Sequence, residues 1–160
     1  MKNIGKWIKR GLLAVLLGAV IYAVVLSVNV VAVSASWAEA KMDINRIVAA
    51  DKCIAEFEGE KRQLCDNALD VMHKFLLAGK ATDWDKPKDG GRVIILTTEE
   101  GTLTLTEDTS EEVERGIYLC IESDGEAKYY HLSMQVGFEH FVRVFEGSAG
   151  TNYRIKDTNT

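Results

Sequence analysis

The sequence predicts an α+β chain: an N-terminal transmembrane helix, a helical hairpin, and a four- to five-stranded antiparallel sheet packed on the helices. Three observations predict it. Residues 11–33 run for 23 positions without a charge. From Lys41 to about Ala78 apolar residues recur at helical spacing. Beyond Gly91 short runs alternate apolar and polar residues between glycine-containing turns.

The apolar run comes first. A bilayer core of about 30 Å needs roughly 20 apolar residues as a helix, so this run is long enough to cross with some tilt. Trp7 and Trp37 flank it, at a separation of about 45 Å along a helix, the depth of a bilayer with its headgroups. Indole rings favour that interface, so the pair reads as an aromatic belt. Lys2, Lys6, Lys9 and Arg10 lie on the N-terminal flank, and the next basic residue is Lys41. By the positive-inside rule the N-terminus is cytoplasmic and the remainder lies outside the inner membrane. The expected divisions are a tail over residues 1–10, a span over 11–36 and an extracytoplasmic domain over 37–160.

A cleaved, secreted form is the competing expectation. Ser36-Trp37-Ala38 and Ala38-Glu39-Ala40 both place small residues at −3 and −1 of a cut. Signal-peptide apolar regions run only about 7–15 residues, so the length favours a retained anchor. Within the span, Ala19, Ala23 and Ser27 recur every four residues, a spacing that lets two helices approach. Asn29 is the polar group that would hydrogen-bond across such a contact. Small residues are nevertheless common in any membrane helix, and that ordinary reading is preferred.

After the span, Ile44, Ile47, Val48, Ile54 and Phe57 continue the helical pattern, interrupted at Gly59. A second helix is expected from about Lys61 to Ala78, with Leu64, Ala68, Val71, Met72 and Phe75 as its apolar stripe and Gly79 as its cap. Residues 82–91 (TDWDKPKDGG) form a loop on composition. Strand-type runs follow over residues 92–97, 102–106, 116–122, 127–136 and 139–146, with a short last strand at Tyr153–Ile155. Tyr130, Leu132, Met134 and Val136 would share one face and Tyr129, His131, Ser133 and Gln135 the other, giving a sheet with one wet side.

Cys53 and Cys65 lie six residues either side of Gly59. In a helical hairpin turning there they would stand level, and outside the cytoplasm a disulfide is the expected state. Cys120 is the odd cysteine.

No motif carries chemistry. His131 and His140, with Glu139 or Glu122, are the nearest approach to a metal site, and Cys120 with either histidine the nearest to a nucleophile and base. Neither has a third converging group, so no catalytic residue, metal or cofactor is expected. Asp83-Trp84-Asp85 departs from a calcium loop because Pro87 stands where an acidic ligand belongs. Residues 39–160 hold 15 basic and 24 acidic side chains, a balance that repels phosphate backbones and excludes nucleic acid as a partner.

The element order, a span, an amphipathic continuation and an antiparallel sheet, is similar to that of type IV pilin-like subunits and of inner-membrane assembly subunits of type IV secretion systems. Leu12–Leu16 lacks the acidic residue that pilins carry at the fifth mature position. The expectation is therefore limited to a non-enzymatic, membrane-anchored subunit or accessory of a cell-envelope complex (secretion, pilus-like, conjugation or phage-related). It would act through contacts with the membrane, with other envelope proteins or with itself. An extracytoplasmic sensor or ligand-binding domain is the alternative.

Overall fold

A computed structural model describes residues 4–84, 86–87, 91–110 and 115–148, with side chains from Leu12 onward. Helix α1 (Ile4–Val48) is unbroken over 45 residues. The hairpin β1 (Ile54–Phe57) and β2 (Glu60–Gln63) follows, then α2 (Asp66–Ala78) and β3 (Lys80–Asp83). Next come β4 (Val93–Thr98), β5 (Gly101–Glu107), β6 (Gly116–Ser123), β7 (Glu126–Ser133) and α3 (Phe138–Gly147). The strands form one antiparallel sheet of seven, in the order β2-β1-β4-β5-β6-β7-β3.

The chain is thus α+β, with a long apolar N-terminal helix and an antiparallel sheet covered by helices. Leu12–Val31 are all exposed along α1. Val33, Trp37, Ala40, Ile44 and Ile47 are buried against it. Their spacing is that of one helix side, so the exposed half and the docked half belong to a single rod. No glycine or proline stands between Gly18 and Val48 to interrupt it.

The core lies between this rod, α2 and α3 on one side and the inner face of the sheet on the other. Ala68, Met72 and Leu76 come from α2; Phe138, Phe141 and Phe145 come from α3. Ala55, Ile94, Leu96, Leu103, Leu105, Ile117, Leu119, Tyr130 and Leu132 come from the strands. Phe141 meets the Phe75 ring at 5.7 Å, and Phe145 meets Phe57 at the same distance, both edge-on. Two layers bury both apolar surfaces.

Three expectations are corrected. The helical hairpin is absent, because Ile54–Phe57 and Glu60–Gln63 form a β-hairpin. Glu58 (φ 49°) and Gly59 (φ 81°) make a two-residue left-handed turn, the kind that joins antiparallel strands. Ala55 then pairs with Leu96, so β1 extends the sheet instead of continuing a helix. Residues 139–146 are helical, not extended: Phe138, Phe141, Val142 and Phe145 fall at helical spacing, and the valines that suggest a strand are carried within it. The sheet also has seven strands rather than four or five. The hairpin and β3, which pairs with β7 (Lys80↔Ser133), supply the extra ones. The proposed strand at Tyr153–Ile155 lies outside the described residues.

The hairpin turn also disposes of the proposed disulfide. Cys53, Cys65 and Cys120 are all free. The turn is centred between Glu58 and Gly59, so Ile54 pairs with Gln63 and Leu64 donates to the Cys53 carbonyl at 2.9 Å. Cys53 therefore stands opposite Leu64, and Cys65 is one residue out of step, at the start of α2. Cys65 packs at the margin of the core that holds Cys53, and the two sulfurs are not bonded.

Candidate functional site

Along α1 the domain is met in order: Ser36 beside Tyr130 (2.8 Å between hydroxyls), Asp43 beside Lys128 (3.0 Å), Arg46 beside Asp124 (2.8 Å). Strand β7 thus runs back toward the exposed end of α1, and the β4–β5 and β6–β7 turns lie at the far end. The end near the apolar segment is closed by Trp37. Its indole N–H donates to the Gly79 carbonyl at 3.0 Å, and its ring meets Tyr130 at 5.3 Å. Trp37 is only 6% exposed. It is a core residue of the domain rather than a residue free to lie among headgroups, because it shares the helix side of Val33 and Ala40. The side chain of Trp7 lies outside the described residues.

The small-residue contact is also revised by helix geometry. Ser27 follows Ala19 and Ala23 along one side, and its hydroxyl donates to the Ala23 carbonyl at 2.8 Å. Asn29 is two residues further, about 200° round the helix, so it faces away from that stripe.

The outer face of the sheet is less wet than expected. Thr106, Tyr118, Cys120 and His131 are buried there. Tyr118 and His131 are register partners, and their rings stack at 4.5 Å. His131 Nε2 meets Asp108 Oδ2 at 2.8 Å; the Asp108 side chain is 1% exposed. Thr82 Oγ1 donates to the His131 carbonyl at 3.1 Å and stands 3.4 Å from Nδ1. Burial works against a charge on Asp108, but the bonds donated by Ser110 and by His131 outweigh it, so the carboxyl lies below its ordinary range. The pair ties the β5–β6 connection to β7. Gly116 makes room for it: a Cβ there would stand 2.5 Å from Asp108 Oδ2 and 3.0 Å from His131 Nε2.

The other sequence candidates are dispersed. His140 is on α3, edge-on to the Phe75 ring at 6.2 Å, in the opposite layer from His131. Cys120 pairs with Tyr129, and its sulfur is 3.8 Å from Glu122 Oε1. Burial, with the Glu122 carboxylate close by, raises its pKa, which keeps it a thiol. Both ring nitrogens of His131 already face Asp108 and Thr82, so that imidazole is not aimed at the thiol. His73 Nε2 is held by Asn45 Oδ1 at 2.7 Å. Among the described residues no group of three or more His, Cys, Asp or Glu side chains is arranged to hold a metal ion.

What the surface offers instead is polarity along its length. The far end is an open acidic groove between the two hairpin turns, lined by Glu99, Glu100, Glu122, Asp124 and Glu126. Arg46 reaches into this end, 2.8 Å from Asp124 and 3.9 Å from Glu100. The opposite end of the molecule is the bare apolar half of α1, which is long and apolar enough to cross a membrane. Comparison with family models, with curated proteins and with solved structures finds no match.

Proposed function

We propose that this chain is a single-pass, non-enzymatic subunit or accessory of a cell-envelope complex. Its N-terminus is cytoplasmic, its domain is held outside the inner membrane, and it works through protein contacts. The observation that carries the reading is the continuity of α1. Twenty exposed, uncharged and mostly apolar residues, Leu12–Val31, lead without a linker into residues the domain buries from Val33 onward. A run of that length measures about 30 Å, the thickness of the hydrocarbon core. A domain carried on such a rod keeps a fixed height and heading above the bilayer, which suits a part fitted into an assembly.

The same geometry weighs against removal of the N-terminal segment. A cut after Ala38 or Ala40 would fall inside α1 and take away Val33 and Trp37, both buried. Losing a buried tryptophan costs about 3–5 kcal/mol, a large part of a small domain's stability.

The test is recovery from native membranes after alkaline extraction, with intact mass and crosslinking on the same sample. The expected result is the uncleaved chain in the pellet, its domain accessible to protease from the non-cytoplasmic side and crosslinked to another membrane protein. A mature N-terminus near Glu39 or Lys41 sinks the anchor. A membrane-bound monomer with no crosslinked partner sinks the role in a complex.

A further inference from the structure

Val33, Trp37, Ala40, Ile44 and Ile47 mark the side of α1 that the domain covers, and Ser36 on that side bonds to Tyr130. Asn29 stands four residues before Val33, seven before Ser36 and eleven before Ala40. Tyr22 stands eleven before Val33, and Gly18 fifteen before it and eighteen before Ser36. Such spacings return to the same side of a helix turning once in about 3.6 residues. Gly18, Tyr22 and Asn29 therefore prolong, inside the apolar half, the side that the domain covers higher up.

In the apolar half that side is bare. Tyr22 is 67% exposed, and Asn29 lies in the uninterrupted exposed stretch Leu12–Val31. With Ser27 these are the hydrogen-bonding side chains of the stretch. Ser27 is satisfied by its own helix, whereas among the described residues neither the Tyr22 hydroxyl nor the Asn29 amide has a partner. Tyr22 is the midpoint of the uncharged run at residues 11–33. A phenol at mid-bilayer and an amide about 6 Å below the outer end of the run face hydrocarbon that can bond neither. At Gly18 nothing lies within 4 Å of where a Cβ would be, so a second backbone can come close.

Resting on the anchored reading above, we infer that the Gly18–Tyr22–Asn29 side is the seat of a transmembrane helix from a different protein, which ends at the membrane surface beneath the domain. A second copy of this chain does not fit. All copies insert with the same orientation, so a second α1 would lie parallel to the first. Above the bilayer its residues from Val33 to Val48 would then occupy the space filled by the first copy's own domain. A helix that stops at the surface meets no such obstacle. It would present hydrogen-bonding side chains at the depths of Tyr22 and Asn29.

The experiment uses the full chain in native membranes, with the photo-crosslinking residue benzoylphenylalanine replacing Tyr22. The control places it at Val24, two residues on and about 200° round the helix. The expected result from position 22 is one discrete adduct, not twice the chain's mass, joined through a membrane-spanning segment of the captured protein. Asn29→Leu should cut its yield at least fivefold, and position 24 should label lipid only. An adduct of twice the chain's mass from position 22, lipid labelling alone there, equal protein capture from position 24, or indifference to Asn29→Leu would each overturn the inference. Asn29 lies outside the buried domain, so that variant leaves its folding intact. A chain found in the soluble fraction overturns the anchored reading as well. A membrane-bound chain that labels only lipid overturns this inference alone.

Discussion

The indole N–H of Trp37 donates to the carbonyl oxygen of Gly79 across 3.0 Å, joining the rod to the end of α2 at the point where the domain begins. Trp37→Ala should lower unfolding free energy by about 3–5 kcal/mol, through lost burial against Tyr130 and an unpaired carbonyl. Trp37→Phe keeps most of the ring and should cost about 1–3 kcal/mol, mainly for the carbonyl. Denaturant titration of the full chain in detergent measures both. A Trp37→Ala chain as stable as the parent would mean that the rod is not part of the core.

The Asp108–His131 pair should make the domain sensitive to acid. The Asp108 carboxyl is depressed in the folded state. Its contribution is therefore fully present above the ordinary carboxylate pKa of about 4 and is lost as pH falls through the lower folded value. Asp108→Asn should cost about 1–3 kcal/mol at neutral pH and flatten the loss of stability below pH 4. Melting temperatures of parent and variant across that range check it; parallel curves would show that another group carries the acid response.

Gly116→Ala tests the same pair from the backbone side. The added methyl would press on Asp108 Oδ2 and His131 Nε2 together. The expected effect is a loss of about 1–3 kcal/mol, with less than the summed cost when combined with Asp108→Asn, because the two changes damage one contact. Full additivity would count against it.

The cysteines should behave as three thiols. Burial pushes Cys53 up to about 11. At pH 8 its thiolate fraction is then about one in a thousand, so alkylation of the folded protein at that site should be very slow. In denaturant without reductant, three equivalents of label should enter. Only one equivalent, with two more appearing after reduction, would restore the disulfide between Cys53 and Cys65.

Glu58 and Gly59 hold left-handed backbone at the hairpin turn. Glycine adopts that conformation freely, so Gly59→Ala should cost about 1 kcal/mol and Gly59→Val more. Nothing lies within 4 Å of the added Cβ, so the cost is conformational rather than steric crowding. Equilibrium unfolding of the two variants gives the ordering, and a stabilised Gly59→Val would contradict it.

By itself the sequence determined the rod, the class and most of the sheet. An uncharged run of 23 residues and an apolar stripe repeating every three or four positions are local patterns, and α1 follows them. The alternation in β4 to β7 is equally local, and those strands lie within a residue or two of their expected places, except where β7 stops at Ser133. Only the tertiary structure decided the rest. Short apolar runs such as Ile54–Phe57 and Phe138–Phe145 fit a helix or a strand, and the free edge of β4 and the groove beside Phe57 and Phe75 decide between them. The cysteine offset followed from a turn centred half a residue from the glycine. Trp37 left the interface for the core because Gly79 and Tyr130, 42 and 93 residues away in sequence, converge on it. No chain-local pattern carries a convergence over such distances, which is also why the side of α1 that the domain covers was visible only in the tertiary structure.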